Sequence, residues 1–161
     1  MSKVTPLLWY DTQAEEAANF YVSLFPNSRI TSIARYGEGA PGPKGSVMTV
    51  GFELDGVAYT ALNGGPMYKF TEALSLSVDC ADQAEVDRYW DALTADGGVP
   101  GPCAWLKDRF GLSWQIVPRR LPQLLSDPDK GRAGRAMAAM LKMSKLIIAD
   151  LEAAADGGVT E

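Results

Sequence analysis

Leu74-Ser75-Leu76-Ser77-Val78-Asp79-Cys80, continued after Ala81 by Asp82-Gln83-Ala84-Glu85-Val86 and on to Leu93, is the stretch on which the fold turns. Apolar residues at 74, 76, 78 and 80 alternate with Ser75, Ser77 and Asp79, the period of a half-buried strand. Asp82 followed by Glu85 is a helix-start signature, after which Val86, Tyr89, Trp90 and Leu93 lie on one helical face. The same grammar stands near the N-terminus. Residues 4–10 read as a strand, Thr12 with Glu15 predicts an N-cap, and Ala17, Phe20, Tyr21 and Leu24 share a helical face that Pro26-Asn27 ends. Superposing Ala17 on Val86 offsets the two helices by 69 residues, so the chain reads as a duplicated unit of strand, helix and further strands.

Working outward, residues 29–36 predict a strand and Gly37 to Gly45, rich in Gly and Pro, a mobile loop. Met48, Val50, Phe52 and Leu54 alternate with their neighbours, and Asp55-Gly56 suits a tight hairpin returning through Val57 to Asn63. Gly64-Gly65-Pro66 breaks that strand. In the second half the helix ends at Gly97-Gly98, and Ala104 to Lys107 and Ser113 to Val117 flank a last hairpin in which Asp108 and Arg109 are expected as a charge pair. From Leu121 the pattern is helical: Asp127 with Pro128 predicts an N-cap and N1, Met137, Met140, Leu141 and Met143 form an apolar stripe, and Ser144 offers a cap for a shorter helix. Lys69 and Lys107 are expected in solvent, with Arg132, Arg135, Lys142 and Lys145 on the outer face of the terminal helices. The expected organisation is one domain over 1–120, with modules 1–72 and 73–120, C-terminal helices over 121–155 and a frayed tail at 156–161.

The 161 residues are 47% hydrophobic and 22% charged, which suits one folded domain. There is no histidine, so Ser-His-Asp hydrolysis, Cys-His proteolysis and imidazole-ligated metal are excluded. Fifteen Lys and Arg against 20 Asp and Glu leave a net charge of -5, which argues against nucleic acid and anionic lipid as partners. No apolar run approaches the roughly 20 residues of a membrane span, and the opening residues lack the apolar core of a signal peptide; a cytoplasmic location is expected. Cys80 and Cys103 lack metal or redox spacing and read as buried thiols.

Five runs, in order, resemble one family: Glu15 to Tyr21, Leu24 to Ser28, Ala61 to Pro66, Val86 to Trp90 and Trp105 to Gln115. They look like the PhnB-like family of the vicinal-oxygen-chelate superfamily, which often carries the label 3-demethylubiquinone-9 3-methyltransferase. The resemblance covers roughly residues 3–120. It implies an α+β glyoxalase/bleomycin-resistance fold, in which paired βαβββ modules form a curved mixed sheet, here with a C-terminal helical extension. The strand after the second helix must then lie between Gly97 and Pro102.

The resemblance also implies a divalent metal held by His, Glu or Gln from four strands. Those positions fall near Val4 or Thr5, between Thr60 and Leu62, at Ser75 and at Gln115, and only Gln115 matches in shape. One neutral amide does not hold a divalent cation, so no metal is expected. Nor does any glycine-rich turn open a helix as an adenosyl-methionine site of the doubly wound kind requires, so no cofactor is expected.

Strand alternation turns Ser75, Ser77 and Asp79 toward the interior of the cup. Transferred to the first strand, that parity leaves either Leu8 and Tyr10 or Leu7 and Trp9 on the same face, with Trp9 favoured. Trp9, Asn63, Ser75, Trp105 and Gln115 would then line an aromatic, neutral polar pocket for a planar or amide-bearing small molecule, in a homodimer. The expected function is metal-free small-molecule binding. The alternatives are an enzyme, with buried Asp79 as general base or the methyl transfer of the family label, and an interaction module that clasps a partner with its terminal helices.

Overall fold

The structure, a computed structural model, describes residues 2–157, so residues 158–161 of the expected tail lie outside the described residues. The chain divides into two compact units, Met1–Phe70 and Thr71–Glu161. Among the described residues no helix is long and apolar enough to cross a membrane.

In the first unit, β1 (Leu7–Tyr10), α1 (Ala14–Leu24), β2 (Arg29–Arg35), β3 (Val47–Leu54) and β4 (Val57–Asn63) build an open four-stranded sheet in the order β1-β4-β3-β2. β1 runs parallel to β4 and the other pairs are antiparallel. Asp55 and Gly56 join β3 to β4 with φ of 48° and 80°, the double left-handed turn that the dipeptide predicts. β1 is shorter than the expected 4–10, because Val4 is solvent-exposed and pairing begins at Leu7.

The buried face of α1 is Ala14, Ala17, Ala18 and Tyr21, one step round from the predicted stripe, with Phe20 and Leu24 only half-buried. Three alanines let the helix lie close on the sheet. Tyr21 meets the ring of Phe52 at 6.3 Å, and its hydroxyl lies 3.1 Å from that of Tyr10. Thr12 is not the N-cap. That position is Gln13, whose side chain makes no cap bond.

The second unit repeats the plan with β5 (Ser75–Cys80), α2 (Gln83–Thr94), β6 (Val99–Pro100), β7 (Trp105–Lys107) and β8 (Ser113–Pro118) in the order β5-β8-β7-β6. β6 falls between Gly97 and Pro102 as expected. α1 and α2 start 69 residues apart, so each unit is a βαβββ module. α2 buries the four predicted residues, Val86, Tyr89, Trp90 and Leu93. Its N-cap, Asp82, accepts from the Glu85 N–H at 2.9 Å.

Three further helices, α3 (Arg120–Leu125), α4 (Lys130–Met140) and α5 (Ile148–Ala155), pack within the second unit. Leu121, Leu124, Ala136, Leu146, Leu151 and Ala155 close a core with Ala104 of the β-module. Several local expectations are corrected here. The N-cap of α4 is Asp129, not Asp127, which instead accepts from the Asp129 N–H and pairs with Arg132. Ser144 caps nothing; its hydroxyl donates to the Gly101 carbonyl at 2.6 Å. The methionine stripe splits, with Met140 and Met143 against the core and Met137 and Leu141 exposed. Lys142 is exposed as expected, but the other three outer cations are staples: Arg132 also pairs with Asp156, Lys145 pairs with Asp87, and Arg135 donates twice to the Ala155 carbonyl at the end of α5.

Candidate functional site

β8 runs between β5 and β7, and register decides which of its side chains meet. Ser75 pairs with Ser113 and Ser77 with Gln115 on one side; Lys107 pairs with Ser113 and Trp105 with Gln115 on the other. Paired residues share a face, so these six occupy one side of the sheet. Leu76, Leu106, Trp114 and Ile116 occupy the other, the last three fully buried on the side of α2.

On the polar face the Gln115 amide donates to the Ser75 hydroxyl at 3.0 Å. Ser113, two residues before Gln115, is 1% exposed, yet its hydroxyl has no hydrogen-bond partner among the described residues. A buried hydroxyl without a partner costs about 1–3 kcal/mol. Lys107 is not simply solvated: it pairs with Glu72 and holds that carboxyl below its ordinary range. The structure thus brings together Ser75, Gln115 and Trp105 of the predicted set and adds Ser113.

The hairpin that presents β8 is fixed by Asp108. Expected in a charge pair with Arg109, it is 2% exposed and accepts from the N–H groups of Phe110 and Leu112 and from the Trp114 indole at 2.9–3.0 Å. Two backbone donors and one ring donor converge on a single carboxylate, which sets both the turn and the Trp114 rotamer.

Trp9 and Asn63 fold with the first unit and do not share a face. Asn63 pairs with Tyr10 and Trp9 with Leu62, so alternation sends Asn63 to the helix side and Trp9 to the opposite side. Asn63 Oδ1 accepts from the Ala14 N–H at 2.8 Å, and its amide donates to the Val47 carbonyl. It therefore supplies the cap that α1 lacks locally. The Trp9 indole donates to the Gly65 carbonyl at 2.9 Å and covers Gly64 so closely that a Cβ there would strike the ring.

Asp79 lies on an exposed part of β5, with its carboxylate two-thirds exposed and bonded twice by Arg119 at 2.9–3.0 Å. It lacks the burial that its role as a general base required. Cys80 is fully buried, and burial pushes its thiol up to about 12, which removes it as a nucleophile near neutral pH. Cys103 is half-buried, a correction to its expected burial.

The superfamily metal is not suited to this donor set. Ser75 and Gln115 are neutral and already bonded to each other, Lys107 shares their face, and among the described residues no three His, Cys, Asp or Glu side chains are placed to hold a metal ion. Adenosyl-methionine fits no better, because the close approach that bare Gly64 offers is filled by Trp9 and the run from Gly37 to Gly45 leads into β3, not a helix.

Of these features, Asn63 as a cap and Ser113 as a buried orphan had no local signal. Asp108 had one, since an Asp before a glycine turn often accepts backbone N–H groups, but burial was not readable.

A family model described as 3-demethylubiquinone-9 3-methyltransferase matches residues 2–117, so α3 to α5 lie beyond it. No curated protein matches significantly. Among solved structures, a putative 3-demethylubiquinone-9 3-methyltransferase, PhnB protein, from Bacillus cereus is 36% identical with a TM-score of 0.65, the match covering 73% of this chain and 99% of that one. Protein PA1353 from Pseudomonas aeruginosa is 21% identical with a TM-score of 0.59, covering 73% and 98%. A glyoxalase/bleomycin resistance protein from Albidiferax ferrireducens is 15% identical with a TM-score of 0.47, covering 73% and 99%.

Proposed function

Because this chain belongs to the 3-demethylubiquinone-9 3-methyltransferase family, we propose that it keeps the family's βαβββ scaffold for binding a small molecule and does so without a divalent metal. The observation that carries this reading is the neutral cluster on the second sheet, Gln115 bonded to Ser75 beside the unpartnered Ser113 hydroxyl. The set offers donors, acceptors and the Trp105 ring, and it suits a planar ligand with amide or carbonyl groups. Nothing in it supplies a base or nucleophile: Asp79 is tied to Arg119 and Cys80 is protonated. The methyl transfer named for the Bacillus cereus relative has no residue set to support it here, and binding without turnover is the better reading. A homodimer, a cytoplasmic location and the absence of nucleic-acid partners belong to the same proposal, supported by the family resemblance and the net charge of -5.

The test is a thermal-shift screen of planar amides, heteroaromatics and adenosyl-methionine, run with and without a chelator, since a ligand that binds only the folded state raises its melting temperature. A shift should persist in chelator and disappear in the Gln115→Ala/Ser113→Ala double variant. A shift that needs added divalent metal, or one given by adenosyl-methionine with product formed, would overturn the proposal. Sedimentation of the purified chain tests the dimer.

A further inference from the structure

The first unit holds a separate cleft of about 440 Å³ between the start of α1 and the segment joining β2 to β3. Tyr36, Pro41, Pro43 and Val47 form its apolar walls, and Asp11 and Glu15 stand at its edge. None of its residues belongs to the second sheet, so it is independent of the site proposed above.

The walls are built in advance. The Tyr36 N–H donates to the Ser46 carbonyl, the Gly45 N–H donates to the Tyr36 carbonyl, and Gly42 lies so near the Tyr36 ring that a Cβ would strike it. Lys44 and Glu38 pair with each other within the loop.

The neutral polar groups around the cleft are largely used internally. The Tyr36 hydroxyl donates to the Asn63 carbonyl at 2.5 Å, the Ser46 hydroxyl to the Pro43 carbonyl at 2.6 Å, and the Gly64 and Gly65 N–H groups to the Tyr10 and Asp11 carbonyls. The Asn63 amide is occupied at both ends. By contrast, the Asp11 and Glu15 carboxylates have no hydrogen-bond or ion-pair partner among the described residues, and no Lys or Arg lines the cleft. An apolar cleft with preformed walls and two carboxylates that lack an ion-pair partner, offset only in part by the N-terminus of α1, is complementary to one ligand chemistry.

We propose that this cleft binds a small organic cation, an alkyl- or arylammonium, with its charge at Asp11 and Glu15 and its apolar body against Tyr36 and the two prolines. An anion would meet two like charges, and a bare metal ion would leave the apolar walls unused.

The test is a heteronuclear NMR titration of the full chain with benzyltrimethylammonium, benzyl alcohol and benzoate, three probes of related shape and different charge. Benzyltrimethylammonium should shift the Thr12, Glu15, Gly42 and Gly64 amides saturably, with affinity falling as salt is raised. The Asp11→Asn/Glu15→Gln variant should bind it about fivefold more weakly, the sum expected of two partly screened ion pairs. The three-probe comparison on the unaltered protein stands whatever the variant does to folding. Equal binding by benzoate, undiminished binding by the variant, shifts confined to residues outside the cleft, or no saturable binding would each overturn the proposal. Shifts gathered instead around Ser75 and Gln115 would overturn it while leaving the second-sheet reading intact.

Discussion

The first turn of α1 is capped from 49 residues away, by Asn63 at the end of β4, whereas α2 is capped by Asp82, three residues before the N–H it accepts from. The hairpins show the same contrast. β3 and β4 are joined by two left-handed residues whose N–H groups donate to the distant Ser28 hydroxyl and Asn27 carbonyl, while the β7–β8 turn is organised from within by the buried carboxylate of Asp108. The first module therefore braces its joints from residues far along the chain, and the second from residues close by. Duplicated topology does not bring duplicated wiring: strand order follows from connectivity and twist, while the anchors are single side chains free to sit wherever an unsatisfied donor remains.

The most forceful way to break the comparison is Asp108→Ala. It strands three donors, one of them the indole of a fully buried Trp114, and is expected to cost about 3–5 kcal/mol, measured as a lower urea midpoint. The turn in the first module should be far more tolerant, with Asp55→Ala costing about 1 kcal/mol for a left-handed alanine. Equal costs would mean that the Asp108 cluster is not the anchor of its hairpin.

The caps sharpen the same contrast at a smaller scale. Asn63→Ala removes the α1 cap and the bond to the Val47 carbonyl, and should cost about 2–3 kcal/mol. Asp82→Ala removes only a local cap on an exposed turn and should cost about 1 kcal/mol. Hydrogen exchange reads the two separately, with α1 losing protection in the first variant and α2 in the second. If α1 keeps its protection without Asn63, the long-range cap is dispensable.

These pairs also mark what could be read from the chain. Alternation at 75–80, the four buried residues of α2 and the 69-residue offset were legible because each is local and periodic, whereas Leu74, read as the first inward position, precedes β5 and is exposed. The same periodicity left two choices for the face of Trp9, and the pairing of β1 with β4 decides between them. Asn63 was misread because its partner is fixed only when β4 pairs in parallel with β1, and no spacing encodes that register. Asp79 failed for a related reason: alternation gave its side of the strand, but not the nearness of Arg119, 40 residues on, which keeps it paired at the surface. Ser113 was invisible, since a buried hydroxyl without a partner is a property of packing, not of sequence.

The smallest expected difference concerns acid. Glu72, Asp87 and Asp127, all in the second unit, are held below their ordinary carboxylate values, the first two chiefly by Lys107 and Lys145 and the third chiefly by the Asp129 N–H, with Arg132 second. A depressed pKa means that the folded state binds fewer protons than the unfolded chain. The contribution of these groups is thus present above their ordinary values, 4.5 for Glu72 and 3.8 for the two aspartates, and is lost as pH falls through those values and then through the lower folded ones. Glu72 is exposed and Asp87 and Asp127 are half-buried, so the effect should be modest and should fade as salt is added. Urea unfolding followed between neutral pH and acid should show the second unit losing stability over this window, with a shallower decline in Lys107→Met, where Glu72 returns toward its ordinary value. An unchanged slope in that variant would place the acid sensitivity elsewhere. The surface pairing of the second unit would then carry no weight in acid, and the contrast between the modules would rest on the Asp108 turn and the two caps.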